Sequence, residues 1–296
     1  MKRWIMAMRL RTLPAAATPV IVGSALAYSR NAFRIAPATA ALLGALLLQI
    51  GANFANDLFD FGKGADGPDR LGPTRAVAAG LVTPGEMKAA TAIVFALATL
   101  VGVYLVTLVG WPIVVIGVAS ILAALAYTGG PYPLGYHGLG EVFVFLFFGL
   151  VAIGGTYLVE AGHFDAGVLV DAIPVGLLSS AIIVVNNLRD RVQDERVGKR
   201  TLAVRLGRAG TLVEYRLLVF GAYACMMVLA LLVHRPLFAL PFLSFPLALR
   251  TARQVSVTDG VGLNPLLGAT ARLLLLFGVL QAAGVALDAA FSARIG

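Results

Sequence analysis

Apolar runs cover this chain at about residues 12–30, 38–58, 87–108, 111–128, 139–160, 167–187, 212–233, 236–252 and 270–290, and each comes near the ~20 residues that carry a helix across hydrocarbon. No water reaches the middle of a bilayer to satisfy backbone N–H and C=O groups, so a spanning segment must close those bonds within itself, as a helix does. Charged residues are 13% of the chain and hydrophobic residues 59%, and the mean hydropathy of +0.88 is far from that of a water-soluble domain. The sequence therefore predicts an all-α integral membrane protein, with nine transmembrane helices around a central cavity that opens near the cytoplasmic side, in a single domain over residues 1–296. Pro14, Pro19, Pro112, Pro174, Pro241 and Pro246 fall in these runs and predict kinks.

Lys and Arg are retained on the cytoplasmic side of membrane proteins. With the N-terminus inside, nineteen of the 23 cations fall on that side, and only Arg30, Arg34, Arg235 and Arg294 fall on the other. The expectation is a multi-pass protein of the cell membrane with its N-terminus in the cytoplasm. A net charge of +8 can signal nucleic acid, but these cations border apolar runs and form no extended soluble face. Anionic lipid headgroups and an anionic substrate account for them, and no nucleic-acid partner is expected. Lys2-Arg3 before an apolar run has the outline of a cleaved leader, but eight further runs favour a first membrane helix. The single Cys225 lies inside a run and can form no internal disulfide.

Two acidic segments interrupt this apolar background. One is Asn56-Asp57-Leu58-Phe59-Asp60, continuing to Lys63 and Asp66, and the other is Asn187-Leu188-Arg189-Asp190, continuing to Asp194. Of 15 Asp and Glu, six aspartates (57, 60, 66, 69, 190, 194) crowd into these stretches. Residues three and four apart share a helix face, so Asn53, Asn56, Asp57 and Asp60 form one stripe and Asn187, Asp190 and Asp194 another. Both stripes stand at the predicted cytoplasmic ends of spans. Clustered carboxylates repel one another unless a cation joins them, and a hard, oxygen-preferring metal is the natural partner. Mg²⁺ takes one or two carboxylates and completes its shell with water and phosphate oxygens. Two such stripes can therefore hold a diphosphate between metals, with Lys63, Arg70, Arg75, Arg189, Lys199 and Arg200 neutralising it. Departure of diphosphate from an allylic carbon leaves a cation that aromatic faces stabilise, for which Phe54, Phe59, Tyr127, Tyr132, Phe143, Phe147 and Tyr157 are candidates. Asp66 and Asp69 also read as ordinary turn residues in Gly64-Ala65-Asp66-Gly67-Pro68-Asp69. Glu160, His163 and Asp165 read as a polar loop on the far side.

The halves echo one another. Thr74-Arg75-Ala76-Val77-Ala78-Ala79-Gly80 matches Thr201-Leu202-Ala203-Val204-Arg205-Leu206-Gly207, and each match precedes a capping-box pattern, Thr83-x-x-Glu86 and Thr211-x-x-Glu214. Chance between alanine-rich strings is the competing explanation.

Asn56-Asp57-x-x-Asp60 with Asp66, together with Asp190-x-x-x-Asp194, resembles the paired aspartate motifs of the UbiA superfamily of intramembrane prenyltransferases, over nearly the whole chain. Within it, the segments Lys63 to Pro73, Tyr127 to Tyr136, Asn186 to Asp190 and Gly198 to Gly207 are similar to those of the 1,4-dihydroxy-2-naphthoate polyprenyltransferases. The resemblance implies Mg²⁺-dependent transfer of a prenyl chain from polyprenyl diphosphate to 1,4-dihydroxy-2-naphthoate, a step of menaquinone synthesis that releases diphosphate and CO2 and gives demethylmenaquinone. It implies that Asp57, Asp60 and Asp66 serve one metal and Asp190 and Asp194 the other, with Asp57, Asp60, Asp190 and Asp194 as the catalytic set. Asn56 and Asn187 would orient that shell, Lys63, Arg189 and Lys199 would contact diphosphate, and Arg75 and Tyr132 complete the substrate-binding candidates.

Other readings share parts of this pattern. UbiA-type enzymes also act on 4-hydroxybenzoate, homogentisate, haem or sugar phosphates. Those acting on 4-hydroxybenzoate commonly carry a Lys-Arg pair after a tyrosine in the loop between the fourth and fifth spans, and residues 127–140 here contain neither Lys nor Arg. A cation-coupled transporter would place its carboxylates at mid-membrane, whereas these sit at one end beside basic residues.

Overall fold

A computed structural model describes residues 2–64, 70–232 and 234–295, the last three by backbone alone. Asp66 and Asp69 lie outside the described residues. Every regular element among those described is helical. Helices α1 (Lys2–Met8), α2 (Leu13–Ser29), α3 (Ile35–Gly62), α4 (Pro84–Val109) and α5 (Trp111–Ala126) form the first half. The second comprises α6 (Gly140–Val144), a π-helical stretch (Phe145–Val151), α7 (Ala152–Ala161), α8 (Gly167–Arg196), α9 (Leu202–Leu232), α10 (Phe245–Val257) and α11 (Asn264–Ile295).

Seven helical segments are long and apolar enough to cross a membrane: Lys2–Ser29, Ile35–Gly62, Pro84–Val109, Gly140–Ala161, Gly167–Arg196, Leu202–Leu232 and Gly260–Ser292. The predicted runs at 111–128 and 236–252 take other forms. The first is α5, only 16 residues. The second begins as a 3-10 helix, Pro236–Ser244, before α10. Pro236, Pro241 and Pro246 each lack an N–H and crowd the preceding turn, so a continuous α ladder cannot form there. Helix α8, with 30 residues, is about 45 Å long and overshoots the ~30 Å hydrocarbon core, which carries its acidic end toward the headgroups.

The main core gathers α2, α7, α8, α9, α10 and α11 around Val22, Tyr157, Leu178, Tyr223, Leu273 and Phe277. Tyr223 stands edge-on to Phe242, Phe245 and Phe277 at 5.0–5.4 Å between ring centroids, a favourable geometry for ring quadrupoles. Its hydroxyl bonds that of Ser244 at 2.6 Å. Where the π-helical stretch crosses α8, glycine permits backbone contact: a Cβ at Gly149 would lie 2.7 Å from Cα of Gly176. Such small-residue crossings let membrane helices pack closely. Gly149→Leu should therefore lower stability by roughly 1–3 kcal/mol through overpacking, read as a fall in the unfolding temperature of the detergent-solubilised protein.

The echo between halves has a backbone counterpart, since Gly80 and Gly207 both adopt positive φ, +68° and +66°. The first capping box forms as expected, with Glu86 N–H donating to Thr83 Oγ1 and Thr83 N–H to Glu86 Oε2. The second does not. Helix α9 breaks at Gly207 itself, and Thr211 lies one turn inside the helix that follows, its hydroxyl donating to Gly207 O at 2.7 Å. The left-handed glycine starts the helix earlier than the threonine could. Glu160 also departs from expectation. It lies in α7 at 1% exposure and accepts a hydrogen bond from Ser24 Oγ at 2.6 Å, because an apolar neighbourhood forces the carboxyl onto the nearest donor.

Candidate active site

Both acidic segments end their helices in glycine-assisted closures, and these aim the adjoining lysines. At the end of α3, Gly64 takes φ +68° and its N–H donates to Phe61 O. At the end of α8, Gly198 takes φ +75°, its N–H donates to Glu195 O, and Lys199 N–H donates to Asp194 O at 2.8 Å. This is the Schellman pattern. It folds Lys199 back over its own helix, so that Nζ lies 3.6 Å from Asp194 Oδ1. Lys63 donates to Thr128 O at 2.6 Å, and both lysines lie over the Tyr136 ring, at 4.6 and 5.1 Å. Desolvation there lowers the Lys63 pKa below the usual lysine range, while Asp60 pulls it back up and Lys199 pushes it further down.

Asp60, 4% exposed, accepts from Arg75 Nη2 at 2.7 Å and from Tyr136 Oη at 3.1 Å. Asp190 is held by both arms of the Arg189 guanidinium, with Nε donating to Oδ1 at 2.7 Å and Nη2 to Oδ2. Arg189 itself, 3% exposed, reaches Asn264 Oδ1 at the start of α11 and Asn186 Oδ1 on α8. Asn264 in turn donates to Leu71 O. Asp194 is buried, and its Oδ2 has no hydrogen-bond partner among the described residues.

The two segments, 130 residues apart at Asp60 and Asp190, converge on one polar pocket of about 40 Å³. Asp60, Asp190, Asp194, Asn186 and Gln193 line it with Arg9, Arg70, Arg75 and Lys199. Arg9, Asp60, Arg75, Asn186 and Lys199 also border a second cavity of about 530 Å³, into which Asn53, Asn56, Asn187, Tyr127 and Thr128 project. Beyond them its walls are apolar: Leu48, Val106, Ile121, Phe143, Phe147 and Phe148 among others. The site is thus a charged head joined to a greasy tail chamber. Asn56 accepts from Thr128 Oγ1 at 2.9 Å, which fixes the amide at that junction. Asn187 donates to Glu141 Oε1 at 2.7 Å, which turns its own Oδ1 away from that donor side.

The remaining candidates are placed otherwise. Asp57, 1% exposed, accepts from the backbone N–H groups of Ala76 at 2.9 Å and Val77 at 3.3 Å. It anchors the turn that carries Arg75 to Asp60, and it borders neither cavity. Tyr132 is 58% exposed and stacks on His137 at 3.6 Å. Phe54 packs against Trp4, and the buried Tyr157 stands edge-on to the exposed His163. Reasoning from the aspartates alone passed over Arg9, Asn186, Gln193, Asn264 and Glu141. An Asn or Glu inside an apolar run is expensive unless partnered, and that signal was available for Asn186 and Glu141.

Among the described residues, no three His, Cys, Asp or Glu side chains stand close enough to cage a metal ion unaided. An open site needs no cage, because Mg²⁺ accepts one or two carboxylates with water and phosphate oxygens completing its shell. The donor set fits: hard carboxylate oxygens from two helices border one pocket, and Asp194 Oδ2 is buried there without a hydrogen-bond partner among the described residues.

The UbiA prenyltransferase family matches residues 16–260. The 1,4-dihydroxy-2-naphthoate octaprenyltransferase of Escherichia coli (strain K12) is 37% identical over 295 residues, covering 96% of this chain and 95% of that protein. The protein of the same description from Mycobacterium tuberculosis (strain ATCC 25618 / H37Rv) is 39% identical, covering 96% of this chain and 97% of that one. Among solved structures, a UbiA homologue from Aeropyrum pernix K1 superposes with a TM-score of 0.70 at 16% identity, over 93% of this chain and 97% of that chain. A UbiA homologue from Archaeoglobus fulgidus bound to GPP and Mg²⁺ gives 0.67 at 14%, over 95% and 99%.

Proposed function

This chain belongs to the UbiA prenyltransferase family, and we propose that it transfers a polyprenyl chain from polyprenyl diphosphate to 1,4-dihydroxy-2-naphthoate, releasing diphosphate and CO2 and giving demethylmenaquinone. The observation that carries this reading is the junction itself: carboxylates from both acidic segments and several cations in one pocket, opening directly on an apolar chamber. A molecule with a highly anionic head and a long hydrocarbon tail matches that profile. The whole of 1–296 acts as one membrane domain in this reading, and the excess of cations around the site favours its facing the cytoplasm. The nine runs of the sequence would then be nine crossings, with α5 and the broken segment Pro236–Val257 as the two short ones.

Each pocket carboxylate has a cation beside it: Arg75 on Asp60, Arg189 on Asp190, Lys199 on Asp194. Arg75 and Lys199 border the pocket and would donate to the diphosphate oxygens, which accept strongly from guanidinium and ammonium groups. Asp60, Asp190 and Asp194, with Asp66 as the resemblance has it, are the residues that would hold Mg²⁺, while Asp57 holds the turn at Ala76 and Val77. Bound there, Mg²⁺ would supply positive charge to offset that accumulating on the leaving diphosphate. The C1–O bond of the donor breaks with its electron pair going to diphosphate. The ring carbon bearing the carboxylate supplies the electrons of the new C–C bond, and cleavage of the bond to CO2 returns a pair to the ring. Phe143, Phe147 and Tyr127 border the chamber where the allylic cation would form, and their π faces favour it while the apolar walls exclude water.

Purified protein given Mg²⁺, polyprenyl diphosphate and 1,4-dihydroxy-2-naphthoate should yield a prenylated product of the decarboxylated mass together with CO2. Chelation of the metal should reduce that rate by at least about a hundredfold. Product from 4-hydroxybenzoate or homogentisate but not from the naphthoate would move the enzyme elsewhere in the family.

A further inference from the structure

The apolar chamber has a glycine on each of four walls: Gly44 on α3, Gly102 on α4, Gly117 on α5 and Gly155 on α7. Glycine is a poor residue for a helix interior, and its usual justifications are a positive φ or a close backbone approach. Neither applies at Gly102 or Gly117. Both have ordinary helical backbones, and a Cβ at either would meet nothing within 4 Å. Cβ atoms at Gly44 and Gly155 would meet only ordinary contacts, at 3.5 and 3.6 Å. What these residues contribute is therefore empty volume facing the chamber. Their phase agrees, because the chamber-facing residues of α4 include Ala98, Gly102, Leu105 and Val106, with Gly102 in mid-stripe. Gly117 sits likewise between Ile113 and Ile121 on α5.

Their depth is defined as well. Asn56 and Thr128, bonded to each other, mark the head of the chamber. Counting back along α3 to Gly44 and along α5 to Gly117 gives about 16–18 Å on each helix, so the two glycines share one level. Past them, at the far end, Ile113 and Val159 border the chamber and pack together with Leu158 against Val106 and Val109. At its head the chamber shares Arg9, Asp60, Arg75, Asn186 and Lys199 with the polar pocket, where Asp194 Oδ2 is buried with no hydrogen-bond partner among the described residues.

The geometry points to a length gauge, in which Gly102 and Gly117, flanked by Gly44 and Gly155, hold open the inner part of the chamber so that long all-trans prenyl tails fit, and thereby set donor preference. This rests on the prenyl-transfer reading above. A leucine at either position projects a branched four-carbon group into the path of the tail, beyond the reach of a two-isoprene donor and across that of an eight-isoprene one.

The test compares geranyl diphosphate with all-trans octaprenyl diphosphate as donors to 1,4-dihydroxy-2-naphthoate, with Mg²⁺, in the full-length protein reconstituted in lipid nanodiscs. In Gly117→Leu the ratio of kcat/KM for geranyl to that for octaprenyl donor should rise at least about tenfold over wild type, since a filled pocket discriminates by roughly that much or more. Gly102→Leu, on a different helix, makes the same measurement independently. A ratio unmoved or shifted toward the long donor, or no turnover of either donor in both variants, overturns the gauge. Wild-type protein that prenylates the naphthoate with neither donor overturns the functional reading itself, and the gauge with it.

Discussion

Asp194→Asn should lower prenyl transfer by roughly 10²–10³-fold, the scale seen when one preorganised electrostatic partner of a charge-separating step is removed, while leaving the helical fold and its unfolding temperature nearly unchanged. The expectation comes from how little of the structure depends on this carboxylate. Its Oδ2 has no partner among the described residues, and Oδ1 meets Lys199 only at 3.6 Å, a distance too long for a strong charge-assisted hydrogen bond. Asparagine keeps the volume and one acceptor and removes the negative charge. The Schellman closure that positions Lys199 uses the Asp194 backbone carbonyl, which the substitution leaves in place. Helical circular dichroism and thermal unfolding in detergent, run beside the turnover assay, separate the two effects. Turnover within about threefold of wild type would remove Asp194 from the metal-holding set, because that small a change is below what losing a metal ligand costs.

Arg189→Ala has the opposite signature, with a loss of stability of about 3–5 kcal/mol, the range for breaking one side of a buried ion pair. Arg189 is 3% exposed and ties together Asp190, Asn186 and Asn264. Its removal leaves the Asp190 carboxylate without its counter-charge and strips Asn264 and Asn186 of their donor. Arg189→Lys should recover little of the loss, since a single ammonium cannot reproduce the forked contact to Asp190 while also reaching two amides. Denaturation midpoints of both variants in the same detergent decide the matter, and a midpoint within about 1 kcal/mol of wild type for alanine would place the pair among those that contribute little.

These contrasting aspartates show what a sequence reveals about such a site. The apolar runs and the three- and four-residue spacing of acids are local properties, so they led directly to helices and to a shared acidic end, and Asp60, Asp190 and Asp194 do border one pocket. Asp57 sits in the same motif, yet its oxygens hold Ala76 and Val77, nineteen and twenty residues on. Whether a carboxylate meets a backbone turn or the cavity depends on how the following loop folds back, which helical spacing does not encode. The same holds for Arg9, which reaches the pocket from the N-terminal arm, and for Asn264, which holds Arg189 from the last helix. In the proline-rich segment 236–246 the prolines predict a kink, and the break takes the form of a 3-10 stretch because the missing N–H groups interrupt the α ladder.

Asn264 has an implication for how the protein is made. Its side chain links Arg189 on α8 to the carbonyl of Leu71 just before Arg75's turn, so the two acidic segments are latched by the opening residue of the last helix. Nascent chain emerging from the ribosome cannot close that latch until some nine-tenths of the polypeptide has been synthesised. Earlier helices can enter the bilayer while the reactive chamber stays unassembled, and a premature stop upstream of that asparagine yields an inserted but inert protein.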